Sequence, residues 1–163
     1  NSLRIPALMS SNRRKIIFSI VLSLSLVTNL VLLFSANQAI ANYDRRLFLT
    51  RGEMAALNWL QSEITDNALV LASSEMGLYI PAHTGKRVIY GHPFETVNAS
   101  VEKDFVDQFF LSGGHQPGLD ALRQREVGYI FYGPRERSLG NLEISSSLRQ
   151  VYDADGVTIY SLP

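Results

Sequence analysis

Cysteine is absent from this chain of 163 residues, and histidine occurs only three times. Without thiolates the chain has no cysteine nucleophile, no disulfide and no thiolate metal site. The loops that commonly bind phosphate, G-x-x-x-x-G-K-S/T and G-x-G-x-x-G, are also missing, as is the G-x-S-x-G turn of serine hydrolases. We therefore expect no catalytic centre, no metal site and no cofactor in this chain.

Acidic residues are missing from the beginning of the chain, where the first one is Asp44. Four basic residues lie in the first fifteen positions: Arg4, Arg13, Arg14 and Lys15. From Glu53 onward the balance reverses, because fourteen acidic residues outnumber eight Lys and Arg and give a net charge of about −6. A surface of this sign repels nucleic-acid phosphates, so we expect no nucleic-acid partner.

Residues 16–34 form an uncharged apolar run directly after the basic segment. As an α-helix, this run would be about 28 Å long, close to the roughly 30 Å hydrocarbon core of a bilayer. A basic flank normally stays in the cytoplasm. We predict a cytoplasmic segment at residues 1–15, a transmembrane helix at residues 16–35 in the cell (inner) membrane, and an extracytoplasmic remainder.

A second interpretation treats the run as a cleaved secretory signal. Ala39-Ile40-Ala41 offers the small residues of a cleavage site, and Met9 could be the start. The run, however, exceeds the roughly 7 to 15 apolar residues of a signal, and eight residues precede the first methionine. These features favour the last membrane helix of a longer, polytopic protein.

Polar side chains within the run indicate what the helix contacts. They are Ser19, Ser23, Ser25, Thr28 and Asn29. Their hydroxyl and amide groups can bond within the helix or to a neighbouring helix. We therefore expect the partners to be the lipid bilayer and other transmembrane helices or membrane protein subunits.

A helical stalk is predicted at residues 36–52, followed by an extracytoplasmic domain at residues 53–163. Thr50 and Glu53 have the spacing of a capping box at a helix start. The following residues recur at helical spacing and predict a face that packs on a sheet. That face consists of Met54, Leu57, Leu60, Gln61 and Ile64, with Trp59 beside it.

Strand and helix signals alternate through the domain. Short apolar runs at residues 68–73, 88–90 and 129–132 are typical of buried parallel strands. Helices are predicted at residues 76–80, ending before Pro81, at 101–111 with Val101, Phe105 and Phe109 on one face, and at 119–126. After Gly133-Pro134 the pattern is irregular, and residues 148–153 and 157–162 then predict a hairpin. The fold class is a small three-layer α/β domain with parallel central strands and a C-terminal antiparallel hairpin.

Ligands of such sheets bind at the carboxyl ends of the strands. Three predicted strand ends carry polar residues: Ser74 and Glu75, His92 and Glu95, and Arg135. His92 and Glu95 could act as a base and its partner or as two metal ligands, while Arg135 could hold an anionic group. The alternative is a structural loop in which Pro93 fixes the turn and Phe94 fills the core. These five residues are candidate binding residues, and none is predicted to be catalytic.

The soluble part resembles a known class of membrane proteins. The segments that carry the resemblance are a helix with Trp59, an apolar strand at residues 69–73, P-A-H-T-G-K-R at residues 81–87 and Y-G-H-P-F-E-T at residues 90–96. In this layout, residues 50–163 look like the C-terminal extracytoplasmic region of certain bacterial membrane glycosyltransferases. These are enzymes of the dolichyl-phosphate-mannose-dependent mannosyltransferase type and their relatives. The resemblance implies a lipid-phosphate-linked sugar donor and a catalytic carboxylate in the first outer loop, a region that this sequence does not contain.

We therefore predict an accessory extracytoplasmic domain, with the last membrane helix, of a glycosyltransferase-like integral membrane protein. The alternative is a single-span non-catalytic subunit or assembly factor of a larger membrane complex. Further hydrophobic spans before Asn1 would favour the first, and a start at Met9 would favour the second.

Overall fold

The computed structural model describes residues 11–41, 48–64, 67–143 and 148–163. It divides into two compact units, Asn1–Phe48 and Leu49–Pro163. Most of the predicted cytoplasmic segment (residues 1–10) and residues 42–47 of the predicted stalk lie outside the described residues.

The first unit contains helix α1, Ser11–Ala41. Its stretch Asn12–Gln38 contains an 18-residue window with a mean hydropathy of 2.5, and within the described ranges it is the one helix long and apolar enough to cross a membrane. Polar side chains in it bond to the backbone one turn earlier: Thr28 Oγ1 donates to Leu24 O and Asn29 Nδ2 to Ser25 O, both at 2.9 Å. This bonding lowers the cost of placing these groups in hydrocarbon.

The second unit is a mixed α/β domain. Its elements are α2 (Arg51–Glu63), β1 (Leu69–Leu71), α3 (Met76–Thr84), β2 (Arg87–Val88), α4 (Ala99–Leu111), α5 (Gln116–Gln124), β3 (Val127–Tyr132), α6 (Pro134–Leu139), β4 (Arg149–Ala154) and β5 (Val157–Ser161). The strand order is β2-β1-β3-β5-β4. The first three strands are parallel, and β5 runs antiparallel to β3 and to β4. The predicted fold class is confirmed.

Both faces of the sheet are covered by helices. Successive residues of a strand point to opposite sides, so each strand contributes side chains to two cores. Val70 and Phe131 are buried on the side of α2 and α3, whereas Leu71 and Ile130 are buried on the side of α4 and α5. The helices supply the rest of the two cores: Leu57, Leu60, Met76 and Ile80 on the first side, and Val106, Phe109, Phe110, Leu119 and Leu122 on the second. The domain therefore has three layers.

The start of α2 follows the sequence prediction. Thr50 caps the helix and Glu53 returns the bond, as a capping box requires. The buried face differs in part, because Met54 and Gln61 are exposed. Glu53 instead is fully buried, for a reason that lies in another part of the chain.

Two helices differ from the prediction. Helix α3 continues through Pro81 to Thr84. Pro81 lacks only the N–H that would bond to the carbonyl of Gly77, and Gly85 then ends the helix with φ of 69° and an N–H···O bond of 3.0 Å to Pro81. The irregular stretch after Gly133 is in fact helix α6, whose first residue is Pro134.

The apolar face predicted for α4 is also partly wrong. Val101 is 60% exposed and Phe105 is half-buried, whereas Val106, Phe109 and Phe110 form the core stripe. These three residues have i, i+3, i+4 spacing and pack edge to face at Phe109 and Phe110, 5.4 Å apart. Val101, in the first turn of α4, is outside that stripe.

The C-terminal hairpin is confirmed. β4 and β5 are joined by Asp155 and Gly156, both with positive φ, 49° and 75°. Two such residues in succession match the right-handed twist of the strands they connect. The hairpin places β4 at one edge of the sheet, and β2 forms the other edge.

Candidate functional site

Arg135 lies at the carboxyl end of β3, as the second residue of α6. Its Nε donates to Glu53 Oε1 at 2.8 Å and its Nη1 to Glu75 Oε2 at 2.9 Å. The Arg135 and Glu53 side chains are 2% and 0% exposed, whereas that of Glu75 is 48% exposed. The guanidinium also lies 5.4 Å from the ring centre of Tyr79. Arg135 thus joins α2, the β1–α3 turn and α6.

Glu136, the next residue, is fully buried at the same edge of the sheet. Its Oε1 accepts the N–H of Ser73 at 2.8 Å and its Oε2 accepts the N–H of Gly133 at 2.9 Å. Burial raises the pKa of the Glu136 carboxyl above its ordinary value, and the hydrogen bonds from Ser73 and Gly133 act in the opposite direction. One carboxyl group therefore connects the ends of β1 and β3.

Sequence reasoning missed the structural roles of both glutamates. The signal for Glu136 was present, since Pro134 at the first position of a helix followed by Glu at the third is a helix-start pattern. Glu53 was assigned only its capping bond. Its Oε2 does accept Thr50 N at 2.7 Å, but its other oxygen meets a residue 82 positions later. No local pattern reports such a contact.

His92 and Glu95 lie in the segment after β2, and both are exposed. The segment forms a tight turn in which the N–H groups of Glu95 and Thr96 bond to the carbonyl of His92 at 3.1 and 2.9 Å. Gly91 N–H donates to Thr96 Oγ1 at 3.2 Å, which closes the turn at its base. Local hydrogen bonds therefore fix its shape.

This turn forms one wall of an open groove of about 600 Å³ along edge strand β2. Its lining includes charged and polar residues, among them Arg87, His92, Glu95, Thr96 and Arg125, and apolar residues such as Val88. A smaller hollow of about 420 Å³ lies on the other side of the turn, between His92 and Pro81. Arg125 is held by an ion pair with Glu102.

Phe94 corrects one sequence expectation. It was expected to fill the core, but its side chain is 92% exposed. The ring lies 5.5 Å from that of His92, and the Phe94 N–H donates to His92 Nδ1 at 3.3 Å. Val97 is 81% exposed on the same segment. Ile89 and Tyr90, just before the turn, are buried instead.

The five candidate residues form two groups in the structure. Glu75 and Arg135 are paired with each other, and Ser74 lies half-buried in the turn before α3. His92 and Glu95 line the groove, whose lining includes none of the other three. Among the described residues, no three His, Asp or Glu side chains converge as metal ligands would. The binding role of each candidate stays a prediction.

Comparison with known proteins identifies the fold. No family model matches this chain. No curated protein matches its sequence significantly. The domain is similar to the crystal structure of the C-terminal globular domain of the oligosaccharyltransferase of Archaeoglobus fulgidus, with a TM-score of 0.54 and 15% identity. The match covers 71% of this chain and 99% of that domain, so the two share a fold over the whole of the archaeal domain.

Proposed function

We propose that this chain is the accessory extracytoplasmic domain, together with the last membrane helix, of a glycosyltransferase-like integral membrane protein. The observation that carries the proposal is the fold match to a C-terminal domain of an oligosaccharyltransferase, with 99% of that domain covered. Helix α1 adds a segment that can cross a bilayer directly before the domain. The basic residues before the apolar run favour a cytoplasmic N-terminus and an extracytoplasmic domain in the inner membrane.

The finer assignment is to bacterial transferases of the dolichyl-phosphate-mannose-dependent type. It rests on the resemblance of residues 50–163 to their C-terminal regions, and on the presence of a membrane helix ahead of the domain. In such a protein the catalytic carboxylate lies in a part of the polypeptide that this sequence does not contain. The domain would then shape or cover the acceptor site, and the groove beside His92 and Glu95 would be the surface that does so.

The alternative function is a single-span, non-catalytic subunit or assembly factor of a larger membrane complex. The observation that favours it is Asn29 on α1, whose Nδ2 bonds to Ser25 O within the helix. An Asn side chain has a carbonyl oxygen and a second amide hydrogen as well, and these can bond to a partner helix. Both functions place α1 in a bilayer and the domain outside the cytoplasm.

Placement is tested with single cysteines, because these 163 residues contain none. Asn12→Cys and Gln108→Cys are exposed positions before and after the apolar run. We expect a membrane-impermeant maleimide to label position 108 in bacterial cells with a permeabilised outer membrane, and position 12 only after lysis. Labelling of position 12 alone in unlysed cells would reverse the orientation, and recovery of both variants from the soluble fraction would refute the membrane anchor.

A further inference from the structure

The stretch of chain at residues 94–101, after β2, exposes three apolar side chains to solvent. Phe94 is 92% exposed and Val97 81% exposed, the two highest values among the large apolar residues described. Val101, at the start of α4, is 60% exposed on the same stretch of chain. We call Phe94, Val97 and Val101 the apolar tip.

The apolar tip is held in shape before it meets anything. The His92 carbonyl accepts two backbone N–H groups, and His92 Nδ1 accepts a third from Phe94. Thr96 Oγ1 accepts the N–H of Gly91 and ties the base of the turn to the end of β2. A fixed turn loses little conformational entropy when it is buried, so its exposed aromatic ring is ready for binding.

The size of the tip limits what it can bind. A buried aromatic side chain covers about 150 to 250 Å², so three apolar residues supply only a small part of the about 1,200 to 2,000 Å² that a stable protein interface buries. A bilayer needs no matching partner surface, and an amphipathic or aromatic group can enter its headgroup region with few contacts. The tip is therefore sufficient for contact with a lipid surface that is already near.

The chain itself brings such a surface near. Helix α1 ends at Ala41 and the domain begins at Leu49. The residues between them reach at most about 28 Å, whatever their conformation, and a domain of this length is on the order of 35 Å across. A tether this short gives the domain an effective concentration at the membrane surface of about the millimolar range. At that concentration even a weak contact between the tip and lipid is occupied.

We propose that the apolar tip inserts Phe94 and Val97 into the headgroup region of the bilayer in which the chain is anchored. The inference rests on the proposed function in one respect, since it needs α1 in the membrane. The charged residues around the tip are mixed in sign: Glu95, Glu102, Lys103 and Asp104 lie close to it in sequence, and Lys86, Arg87 and Arg125 line the groove that Val97 borders. Insertion is accordingly driven by apolar contact, and neither anionic lipid nor low salt is required for it.

The test uses the full chain in phosphatidylcholine nanodiscs with a single cysteine carrying a nitrobenzoxadiazole dye. The positions are Phe94→Cys and Val97→Cys in the tip, Leu26→Cys in α1, and Leu111→Cys as the matched control. Leu111 is 60% exposed and apolar, and it lies ten residues from Val101 along α4, about 15 Å away. A lipid with a nitroxide near its headgroup should quench positions 94 and 97 at least twofold more than position 111, equally in 0.05 M and 1 M salt.

The outcomes separate the two proposals. In one outcome, a nitroxide deep in the acyl chain quenches the dye at position 26, but the headgroup nitroxide does not quench the dye at position 94 or 97. This result overturns the insertion of the tip and leaves α1 as a membrane anchor. No lipid quenching at position 26 removes the anchor and the insertion with it. A second variant excludes an effect of the dye: Phe94→Glu in the Val97→Cys protein should lower the quenching at least twofold, while Leu111→Glu should leave it unchanged. If the dye at position 97 is quenched equally with Phe94 and with Phe94→Glu, Phe94 does not insert into the bilayer.

Discussion

Arg135 Nε lies 2.8 Å from Glu53 Oε1, and both side chains are almost completely buried. Removal of one member of a buried pair leaves the other charge without compensation, which typically costs about 3 to 5 kcal/mol. We expect Arg135→Ala to lower the free energy of unfolding by about that amount. Urea unfolding of the full chain in detergent micelles, followed by the fluorescence of Trp59, measures it. Arg149→Ala, at an exposed position on edge strand β4, is the control and should change stability by less than about 0.5 kcal/mol.

A double variant tests whether this loss arises from an unpaired charge. Arg135→Met combined with Glu53→Gln removes both charges and keeps an amide oxygen near the helix start. We expect the double variant to be more stable than Arg135→Met alone, because no buried charge is left alone. A stability loss in the double variant equal to the sum of the Arg135→Met and Glu53→Gln losses would show that the two residues act independently.

His92 and Glu95 should behave in the opposite way, because both are exposed on the turn beside the groove. We expect His92→Ala and Glu95→Ala each to change the free energy of unfolding by less than about 1 kcal/mol. If the groove binds a glycan, each should weaken binding of a mannoside by about tenfold, equivalent to about 1.4 kcal/mol. NMR titration with methyl mannoside measures the affinity. If His92→Ala and Glu95→Ala lower the stability as much as Arg135→Ala does and leave the affinity for the mannoside unchanged, the two residues have a structural role and no binding role.

Glu136 gives the stability of the domain a specific pH dependence. Burial raises the pKa of this carboxyl above the 4.5 of a free side chain. The folded state therefore binds the proton more tightly than the unfolded state, and this contribution to stability is lost as pH rises from about 4.5 through the folded-state pKa. Glu136→Gln replaces the titrating carboxyl by a neutral amide. The stability of the wild type relative to this variant should therefore be greatest at or below pH 4.5 and should fall as the pH rises. Urea unfolding at several pH values measures the difference, and a wild-type advantage that grows with pH would contradict this sign.

Gly77 allows α3 to approach the chain after β2. A Cβ at this position would overlap the carbonyl oxygen of Tyr90, so Gly77→Ala should force a backbone shift and cost about 1 to 3 kcal/mol. Gly128→Ala in β3 is the matched control, since its Cβ would meet the nearest atom, Ala68 Cβ, at 3.9 Å. Thermal unfolding of the two variants makes the comparison. Equal melting temperatures would mean that the close approach of α3 is not needed.

Local signals predicted much of this fold. The Thr50–Glu53 capping box, the alternation of apolar strands with helices, and the Asp155-Gly156 turn depend on neighbours in sequence, and each is present in the structure. Helix α3 continues past Pro81 because the ring removes one hydrogen bond and does not end the helix, which stops only at Gly85.

The candidate site was less predictable. Glu53 meets Arg135 across 82 positions and Glu136 meets Ser73 across 63, and periodicity carries no information on such distant pairs. The structural-loop interpretation of residues 92–95 places Phe94 in the core, and this part of it is wrong. Phe94 is exposed on a turn whose shape is fixed by hydrogen bonds of Gly91, His92 and Thr96, and residue type does not predict that shape.

The central claim is that this chain forms the last membrane helix and outer domain of a larger glycosyltransferase-like protein. The most direct measurement is the intact mass of the native polypeptide, purified from its source membrane and analysed by mass spectrometry. The account predicts a mass several times the 18.2 kDa of this chain. A native mass near 18.2 kDa would contradict it and would favour the single-span subunit of a membrane complex.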